Sequence, residues 1–150
     1  MNRRASPGFG TTPEHRADTL LVATYNIHKG VRGLGPARRL EIHNLGLGIK
    51  TLGADLVFLQ EVRLRHTREA RYFDQTWLGW PEGGQADFLA PDGYGVAYRT
   101  NAVTRHGEHG NALLSRWPVL SHWHEDMSDH RFEQRGLLHV EVLAHGRPLH

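Results

Sequence analysis

Two apolar runs that each end in polar side chains constrain this chain more than any other feature. The first is Thr19-Leu-Leu-Val-Ala-Thr-Tyr-Asn26, and the second is Ala54-Asp-Leu-Val-Phe-Leu-Gln-Glu61. Runs of this length and composition are typical of strands that are buried on both faces. Residues 37–52, which lie between them, carry apolar side chains mixed with polar ones and predict an amphipathic helix that ends at Gly53. A strand, a helix and a second strand predict a crossover unit with parallel strands.

The second half of the chain has a different pattern. Residues 67–78 predict another helix, and short strand-like runs separated by turn residues follow it. These runs cover residues 94–98, 111–114, 119–123 and 137–143. Helices first and strands afterwards indicate an α/β fold, a mixed sheet with helices on one face.

Length and composition set further limits. The chain has 150 residues, which suits one domain, and its 39% hydrophobic content is enough for a packed core. The formal net charge of +2 is compatible with a phosphate-bearing substrate. No cysteine is present, which excludes disulfides, thiolate zinc sites and cysteine nucleophiles. Residues 1–18 predict a flexible leader without a signal peptide, and no apolar run is long enough for a membrane span, so we expect a cytoplasmic protein.

The C-terminal residues predict an interrupted hairpin. Residues 144–148 have the composition of a turn, and Leu149 and His150 would begin the return strand. A return strand of two residues would leave residues 137–143 with an unpaired edge, which native domains avoid. We therefore expect residues 19–150 to be the N-terminal part of one longer domain, truncated before a second sheet is complete.

Polar side chains at the ends of the two apolar runs suggest a metal site. Asn26 ends the first run, and Gln60 and Glu61 end the second. In open α/β sheets, ligands bind outside the carboxyl ends of the strands, so neighbouring parallel strands would bring these groups together. Magnesium prefers oxygen ligands and often needs only one or two carboxylates. The spacing alone leaves an alternative open, in which Glu61 caps a helix and Asn26 opens a turn.

These segments carry a resemblance to a known superfamily. "TYNIHKG", "ADLVFLQEV" and "GNALLSRWPV" occur in the order of the endonuclease/exonuclease/phosphatase motifs, and Gln134-Arg-Gly-Leu-Leu-His-Val140 resembles the strand that follows them. The superfamily includes pancreatic deoxyribonuclease, abasic-site endonucleases, bacterial sphingomyelinases and inositol polyphosphate 5-phosphatases. The resemblance extends from Thr19 to His150. It implies a two-sheet α/β sandwich flanked by helices.

The resemblance also implies roles for individual residues. Glu61 matches the metal-binding glutamate, and Asn26 matches the asparagine near the metal and the scissile phosphate, so both are candidate catalytic and metal-binding residues. Asn111 lies in the "GNA" segment and is a candidate catalytic residue with a positioning role. Arg135 could bind substrate phosphate, and a surface salt bridge is an equal alternative for it. The implied cofactor is Mg²⁺ or Mn²⁺.

The resemblance further implies hydrolysis of a phosphate ester in nucleic acid, a phospholipid headgroup or an inositol phosphate. The superfamily's later motifs, an Asn-x-His strand, a Gly-Asp-x-Asn segment and a terminal Ser-Asp-His, do not occur in their places. They would supply the general base, so we expect this chain alone to be inactive and the complete protein to be a monomeric enzyme. A non-catalytic binding module on the same fold is the alternative.

Two further motifs resemble metal sites but fit them poorly. Ser128-Asp-His130 has the letters of the terminal triplet but lies too early in the motif order, which predicts ordinary loop residues. His122-Trp-His-Glu-Asp126 resembles the zinc motif of the metallo-β-lactamase fold, but Met127 stands where a histidine is needed. We expect His122 and His124 to share one strand face that points to solvent, and a zinc hydrolase built on them is the third hypothesis.

Overall fold

The computed structural model describes residues 19–74, 79–130 and 134–150. In chain order the elements are β1 (Val22–Asn26), β2 (Val31–Arg32), β3 (Arg39–Leu40), α1 (Ile42–Leu52), β4 (Leu56–His66), α2 (Thr67–Phe73), α3 (Gln85–Leu89), β5 (Gly95–Thr104), β6 (Gly107–Ser115), β7 (Val119–Asp126), β8 (Gly136–Ala144) and β9 (Arg147–Leu149). No helix in these ranges is long and apolar enough to cross a membrane.

Strands β1 and β4 form the predicted parallel pair. Asn26 lies opposite Gln60 in the register, and helix α1 makes the crossover. Gly53 ends the helix with a φ of 60°, a left-handed conformation that glycine adopts at little steric cost. Antiparallel β6 and β5 extend this first sheet, in the order β1-β4-β6-β5. The second sheet has the order β7-β8-β9, all antiparallel.

Each face of the first sheet is covered by a different layer. On one face, Val57, Leu59 and Leu114 pack with buried residues of α1 and α3. On the other face, Leu113 packs with Val142 of the second sheet. Side chains alternate across a strand, so successive residues of β4 and β6 supply both layers. The two-sheet α/β sandwich flanked by helices is confirmed.

The first predicted helix begins later than its sequence indicates. Residues 37–52 were expected to be helical, but α1 starts at Ile42 because β3 pairs with β2 as a small hairpin. Gly33 makes the tight connection possible: its φ is 85°, and a Cβ there would lie 2.8 Å from the carbonyl oxygen of Ala37. A side chain at this position would clash with the backbone, and the composition of the segment does not reveal that constraint.

Other predicted elements exist with different bounds. Strand β4 continues to His66 instead of ending near Glu61, and β5, β6, β7 and β8 are all longer than the predicted runs. The second predicted helix forms over Thr67–Phe73, and its predicted end at residues 75–78 lies outside the described residues, as does the predicted leader. Helix α3 was not predicted. The turn after β8 leads into β9, which pairs with it as the predicted hairpin.

A buried carboxylate joins three strand ends at the start of β4. Asp55 is 1% exposed, and its carboxylate accepts hydrogen bonds from the backbone N–H of Leu21 at 2.9 Å and from Nε of Arg116 at 2.8 Å. The Arg116 guanidinium also donates to the carbonyl oxygen of Gly53 at 2.9 Å. The chain before β1, the start of β4 and the end of β6 are thus held by one charge-assisted network.

We expect Asp55→Ala to lower the free energy of unfolding by about 3 kcal/mol, because it removes the acceptor of the Leu21 amide and the charged partner of the Arg116 guanidinium. Urea denaturation of both proteins measures the change. Asp92→Ala, which removes an exposed aspartate, is the matched control and should alter stability by less than about 0.5 kcal/mol. Equal effects of the two substitutions would contradict a structural role for Asp55.

Candidate functional site

A β-bulge sets the position of Glu61. Leu59 of β4 lies opposite Ala112 of β6, and Val62 lies opposite Gly110. Two residues of β4, Gln60 and Glu61, therefore share the space opposite Asn111, which is the arrangement of a β-bulge. Glu61 has a φ of 55°. A left-handed glutamate is uncommon, and such residues cluster at functional sites.

The bulge also keeps the Glu61 side chain out of the core. Leu59 and Val62 both belong to the helix-side core, with exposures of 1% and 0%. Strict alternation from Leu59 would direct residue 61 into that core, where an unpaired carboxylate is costly. The extra residue gives the core position to Val62 and leaves the Glu61 side chain 37% exposed at the sheet edge. Glu61 lies inside β4, so it does not cap a helix.

Asn26 contacts Glu61 directly. Nδ2 of Asn26 donates a hydrogen bond to Oε1 of Glu61 at 3.1 Å, and Oδ1 of Asn26 accepts one from the backbone N–H of His28 at 2.9 Å. A backbone N–H can only donate, which fixes the amide orientation and points the NH₂ group at the carboxylate. The structure brings Asn26 and Glu61 together, as the sequence predicts. The His28 contact also makes Asn26 the start of a turn, as the alternative interpretation predicts, and the metal-binding role of Asn26 stays a prediction.

Lys29 lies on the other side of the carboxylate, with Nζ 3.9 Å from Oε2 of Glu61. It belongs to a turn in which His28, Lys29 and Gly30 have φ values of 47°, 63° and 71°. The turn is held by a hydrogen bond from the Gly30 N–H to the carbonyl oxygen of Ile27 at 2.9 Å. Non-glycine residues pay a conformational cost in this region, which the surrounding contacts must offset.

Gln85 connects this turn to β4. It is 1% exposed, its Nε2 donates to the carbonyl oxygen of Lys29 at 2.8 Å, and its Oε1 accepts from the backbone N–H of Arg63 at 2.9 Å. One buried amide therefore fixes the backbone of Lys29 and the strand just after Glu61. The sequence analysis missed Gln85, and nothing in its local pattern identifies it.

His109 lies within the electrostatic field of the site. Burial is the main cause that lowers its pKa; Lys29 and Arg63 lower it further, and Glu61 opposes them. His109 therefore favours its neutral form. It was missed as a site residue, although it stands two positions before Asn111, and period-two alternation of β6 would have placed both on one face.

Asn111 lies opposite the bulge, and Arg135 lies one residue before Gly136, to which Asn111 is hydrogen-bonded. Nδ2 of Asn111 donates to the carbonyl oxygen of Gly136 at 3.0 Å, which ties the first sheet to the start of β8. Arg135 precedes Gly136, and its backbone N–H donates to Oγ of Ser128 at 2.9 Å. The positioning role of Asn111 and the phosphate-binding role of Arg135 stay predictions.

The two other motifs lie on β7 and on the loop that follows it. Asp129 and His130 are exposed between β7 and β8, as predicted for loop residues. The prediction that His122 and His124 point into solvent is wrong, because both are half-buried, with Nδ1 of His122 and Nε2 of His124 inaccessible. Strand β7 packs against β5, which covers that face.

The donors at Glu61 fit a metal ion that needs few protein ligands. The carboxylate has lone pairs beyond those used by Asn26, and Oε2 is only loosely paired at 3.9 Å. In the described part of the chain, no group of three or more His, Cys, Asp or Glu side chains is arranged to hold a metal ion. Magnesium suits such a site, because it keeps several waters and uses one or two carboxylates together with substrate phosphate.

Positive charge dominates the continuation of β4. The pKa of His66 falls from its ordinary 6.5 to about 4, mainly through burial and further through Arg63, His106, Arg68 and Lys29. Its Nδ1 accepts the backbone N–H of Glu69 at 3.2 Å and caps α2. Glu69 itself is buried and shared by Arg63 and Arg38. His66 is therefore a neutral residue in a strongly positive region.

The sequence of this chain matches one family model and several curated proteins. A sequence model described as Endonuclease/Exonuclease/phosphatase family matches residues 23–149. The chain is similar to "Uncharacterized protein YbhP" of Escherichia coli (strain K12), with 36% identity over 123 residues that cover 81% of this chain and 46% of that protein. The protein of the same name from Shigella flexneri matches equally. The chain thus spans less than half the length of these curated relatives.

Two solved structures share the fold. The endonuclease/exonuclease/phosphatase from Beutenbergia cavernae DSM 12333 matches with a TM-score of 0.64 and 24% identity, over 86% of this chain and 36% of that one. An endonuclease/exonuclease/phosphatase family protein from Leptotrichia buccalis C-1013-b matches with a TM-score of 0.57 and 12% identity, over 87% and 52% of the two chains. At these identities the likeness shows the fold alone.

The lowered pKa of His66 predicts how stability depends on pH. As the pH falls from about 7 to 4, the unfolded chain takes up the proton first, so the free energy of unfolding should decrease by roughly 2 kcal/mol from this group. His66→Asn keeps a good N-cap and removes the titration, so its stability should fall less steeply over this range. Urea denaturation of both proteins at a series of pH values measures the difference. Parallel curves would contradict the assignment.

Proposed function

This chain belongs to the endonuclease/exonuclease/phosphatase family, and we propose that its bulge site is the metal-binding part of a phosphate-ester hydrolase. The observation that carries the proposal is the contact between Asn26 and Glu61, which lie where β1 ends and its parallel pairing with β4 stops. Ligands of open α/β sheets bind at this edge. A left-handed glutamate in a bulge costs conformational free energy, and structures keep such costs where a side chain must be aimed.

Each residue of the site has one proposed task. Glu61 holds Mg²⁺ or Mn²⁺ through its carboxylate, and Asn26 orients that carboxylate through its NH₂ group. When bound, the ion neutralises negative charge on a phosphate oxygen and polarises the phosphorus. Lys29 presents its ammonium beside the same carboxylate, where it can contact a second phosphate oxygen. Gln85 keeps the turn of Lys29 at a fixed distance from β4.

The neighbouring residues complete the proposed chemistry. His109 is held neutral beside Lys29 and Glu61, so it can accept or relay a hydrogen bond without adding positive charge. Arg135 follows the loop that Asn111 ties to the site edge, and we assign it a phosphate contact. The reaction is attack of water on phosphorus with departure of an alcohol oxygen. The substrate class is a phosphate ester of nucleic acid, lipid headgroup or inositol phosphate type.

A non-catalytic binding module on the same fold is the second candidate. The contact between Asn111 and Gly136 favours it in part, because it uses the Asn111 side-chain N–H for holding the two sheets together. Binding and hydrolysis make different demands on Glu61. A binding module needs no ion at the bulge, whereas a hydrolase loses its chemistry when the ion is lost.

We expect Glu61→Gln in the full-length protein to lower kcat/KM for a phosphodiester substrate by about 10³-fold or more, because it removes the charge that holds the ion. Hydrolysis of bis(p-nitrophenyl) phosphate with Mg²⁺ or Mn²⁺ measures the loss. Glu82→Gln removes an exposed glutamate elsewhere and should leave the rate unchanged. Full activity of a folded Glu61→Gln protein would refute the metal assignment, and an inactive parent protein would favour the binding module.

The orienting role of Asn26 has its own test. Asn26→Ala should weaken Mn²⁺ binding about 10- to 100-fold, the usual cost of losing a group that orients a metal ligand. Titration of the full-length protein followed by Mn²⁺ electron paramagnetic resonance gives the dissociation constants. Asn44→Ala is the matched control. Nδ2 of Asn44 also donates to a glutamate oxygen, Oε2 of Glu41, at 3.1 Å, and this hydrogen bond is exposed at the start of α1. Equal dissociation constants for the Asn26→Ala and parent proteins would remove Asn26 from the site.

A further inference from the structure

An arginine-lined pocket lies beyond the candidate site, at the end of β4. The turn before β3 contributes Arg38, helix α2 contributes Arg68, Arg71 and Tyr72, and the β5–β6 turn contributes His106. We call this group the arginine pocket. It is open to solvent and has a volume of about 830 Å³. None of the described residues that line it is acidic.

Arg38 is fixed in the pocket wall by its contacts, and Arg68 and Arg71 provide the exposed charge of the pocket. NH1 of Arg38 lies 3.5 Å from Oε1 of Glu69, and its guanidinium stacks over the ring of Tyr72 at 4.5 Å. These contacts hold Arg38 against the wall. Arg68 and Arg71 are exposed, and within the described ranges neither of them forms an ion pair. Two guanidinium groups are therefore available to an anion.

The one acidic side chain of α2 offsets positive charge at Arg38 and Arg63, and within the described residues it forms no ion pair with Arg68 or Arg71. Glu69 is 7% exposed, and its carboxylate is shared between Arg63 and Arg38. Three positive groups, Arg63, Arg68 and Lys29, act together on His66 and lower its pKa. His66 therefore lies within reach of positive groups from both positions, Lys29 beside Glu61 and Arg68 in the arginine pocket.

The distance between Glu61 and the arginine pocket limits which ligands could occupy both. Thr67 at the pocket wall lies six positions after Glu61, at the start of α2 directly after the end of β4. An extended strand rises about 3.3 Å per residue, so the separation is at most about 20 Å. In helical form, a nucleic-acid strand carries one phosphate per about 3.4 Å of helix axis, so about six nucleotides of such a strand cover this distance. A single headgroup phosphate at Glu61 would not reach the pocket.

We propose that the arginine pocket binds a second, distant phosphate of a helical nucleic-acid strand whose scissile phosphate lies at Glu61. The substrate class that fits is nucleic acid of about six nucleotides or more. Arginine suits this task because its planar guanidinium donates two parallel hydrogen bonds to a phosphate. The inference rests on the proposed function, since it takes the scissile phosphate to be at the bulge.

The test uses the double variant Arg68→Gln/Arg71→Gln in the full-length protein. For a 12-nucleotide substrate, KM should rise about tenfold or more with kcat retained, because two charge-assisted contacts outside the reacting centre are lost. The KM of a 3-nucleotide substrate, which is too short to reach the pocket, should stay within about twofold. The dependence of log Kd on log salt for the 12-mer should also fall in slope by about two.

The control is Lys50→Gln/Arg147→Gln, which removes the same charge from exposed positions on α1 and β9. It should behave as the parent protein for both substrates. A loss equal to that of the arginine variant would show an effect of net charge alone and would overturn the pocket. Thermal denaturation of both double variants, with unchanged midpoints, excludes a folding defect.

A second measurement separates this inference from the proposed function. Fluorescence anisotropy in EDTA gives the binding of labelled 3-mer and 12-mer without hydrolysis. If hydrolysis depends on Glu61 but the parent and arginine-variant proteins bind the 12-mer equally, the pocket is overturned and the hydrolase is kept. Tight, arginine-dependent 12-mer binding without hydrolysis would support the pocket and reject the hydrolase. Arginine-dependent binding to phosphatidylserine vesicles, with no binding of the 12-mer, would overturn the choice of nucleic acid.

Discussion

The left-handed conformation of Glu61 is the constraint on which the rest of the site depends. It costs about 1–2 kcal/mol for a residue with a Cβ. The burial of neighbouring residues offsets this cost. The bulge lets Leu59 and Val62 both enter the helix-side core, and the full burial of each side chain stabilises the fold by about 1.5–3 kcal/mol. A regular strand would bury the carboxylate or expose Val62. The hydrophobic core therefore holds a conformation that the glutamate would not adopt by itself.

The sequence predicts the parts of this arrangement that follow from periodicity. The apolar runs and the helix between them predict the parallel pair of β1 and β4, and strand polarity predicts that Asn26 and Glu61 meet. The bulge could not be predicted, because it depends on how β4 pairs with β6, a contact distant in sequence. The β2–β3 hairpin was missed for a different reason, since Gly33 owes its role to a clash that only the folded turn reveals. Gln85 was missed because both of its partners are backbone atoms of other elements.

The sequence gives the net charge of the chain, whereas the fold determines where the individual charges gather. A net charge of +2 says little, yet Lys29, Arg63 and Arg68 all act on His66 at one end of the molecule. Acidic groups exist there too, but Glu69 is buried with arginine partners and Glu61 is aimed at the edge. An electrostatic site depends on which charges fold into ion pairs and which remain exposed.

Strand β4 is anchored on both sides of the bulge, and these two anchors explain why the strained Glu61 keeps its position. At its start, the buried carboxylate of Asp55 accepts hydrogen bonds from the Leu21 amide and the Arg116 guanidinium, and the Asp55 backbone bonds to the same two residues. Near the bulge, Gln85 fixes the next backbone amide and the turn of Lys29. Strain concentrated between two anchored points cannot relax by sliding the strand, because any shift breaks buried hydrogen bonds. The Glu61 carboxylate is thus held at the sheet edge by contacts on both sides of the bulge, while its side chain stays partly exposed to solvent.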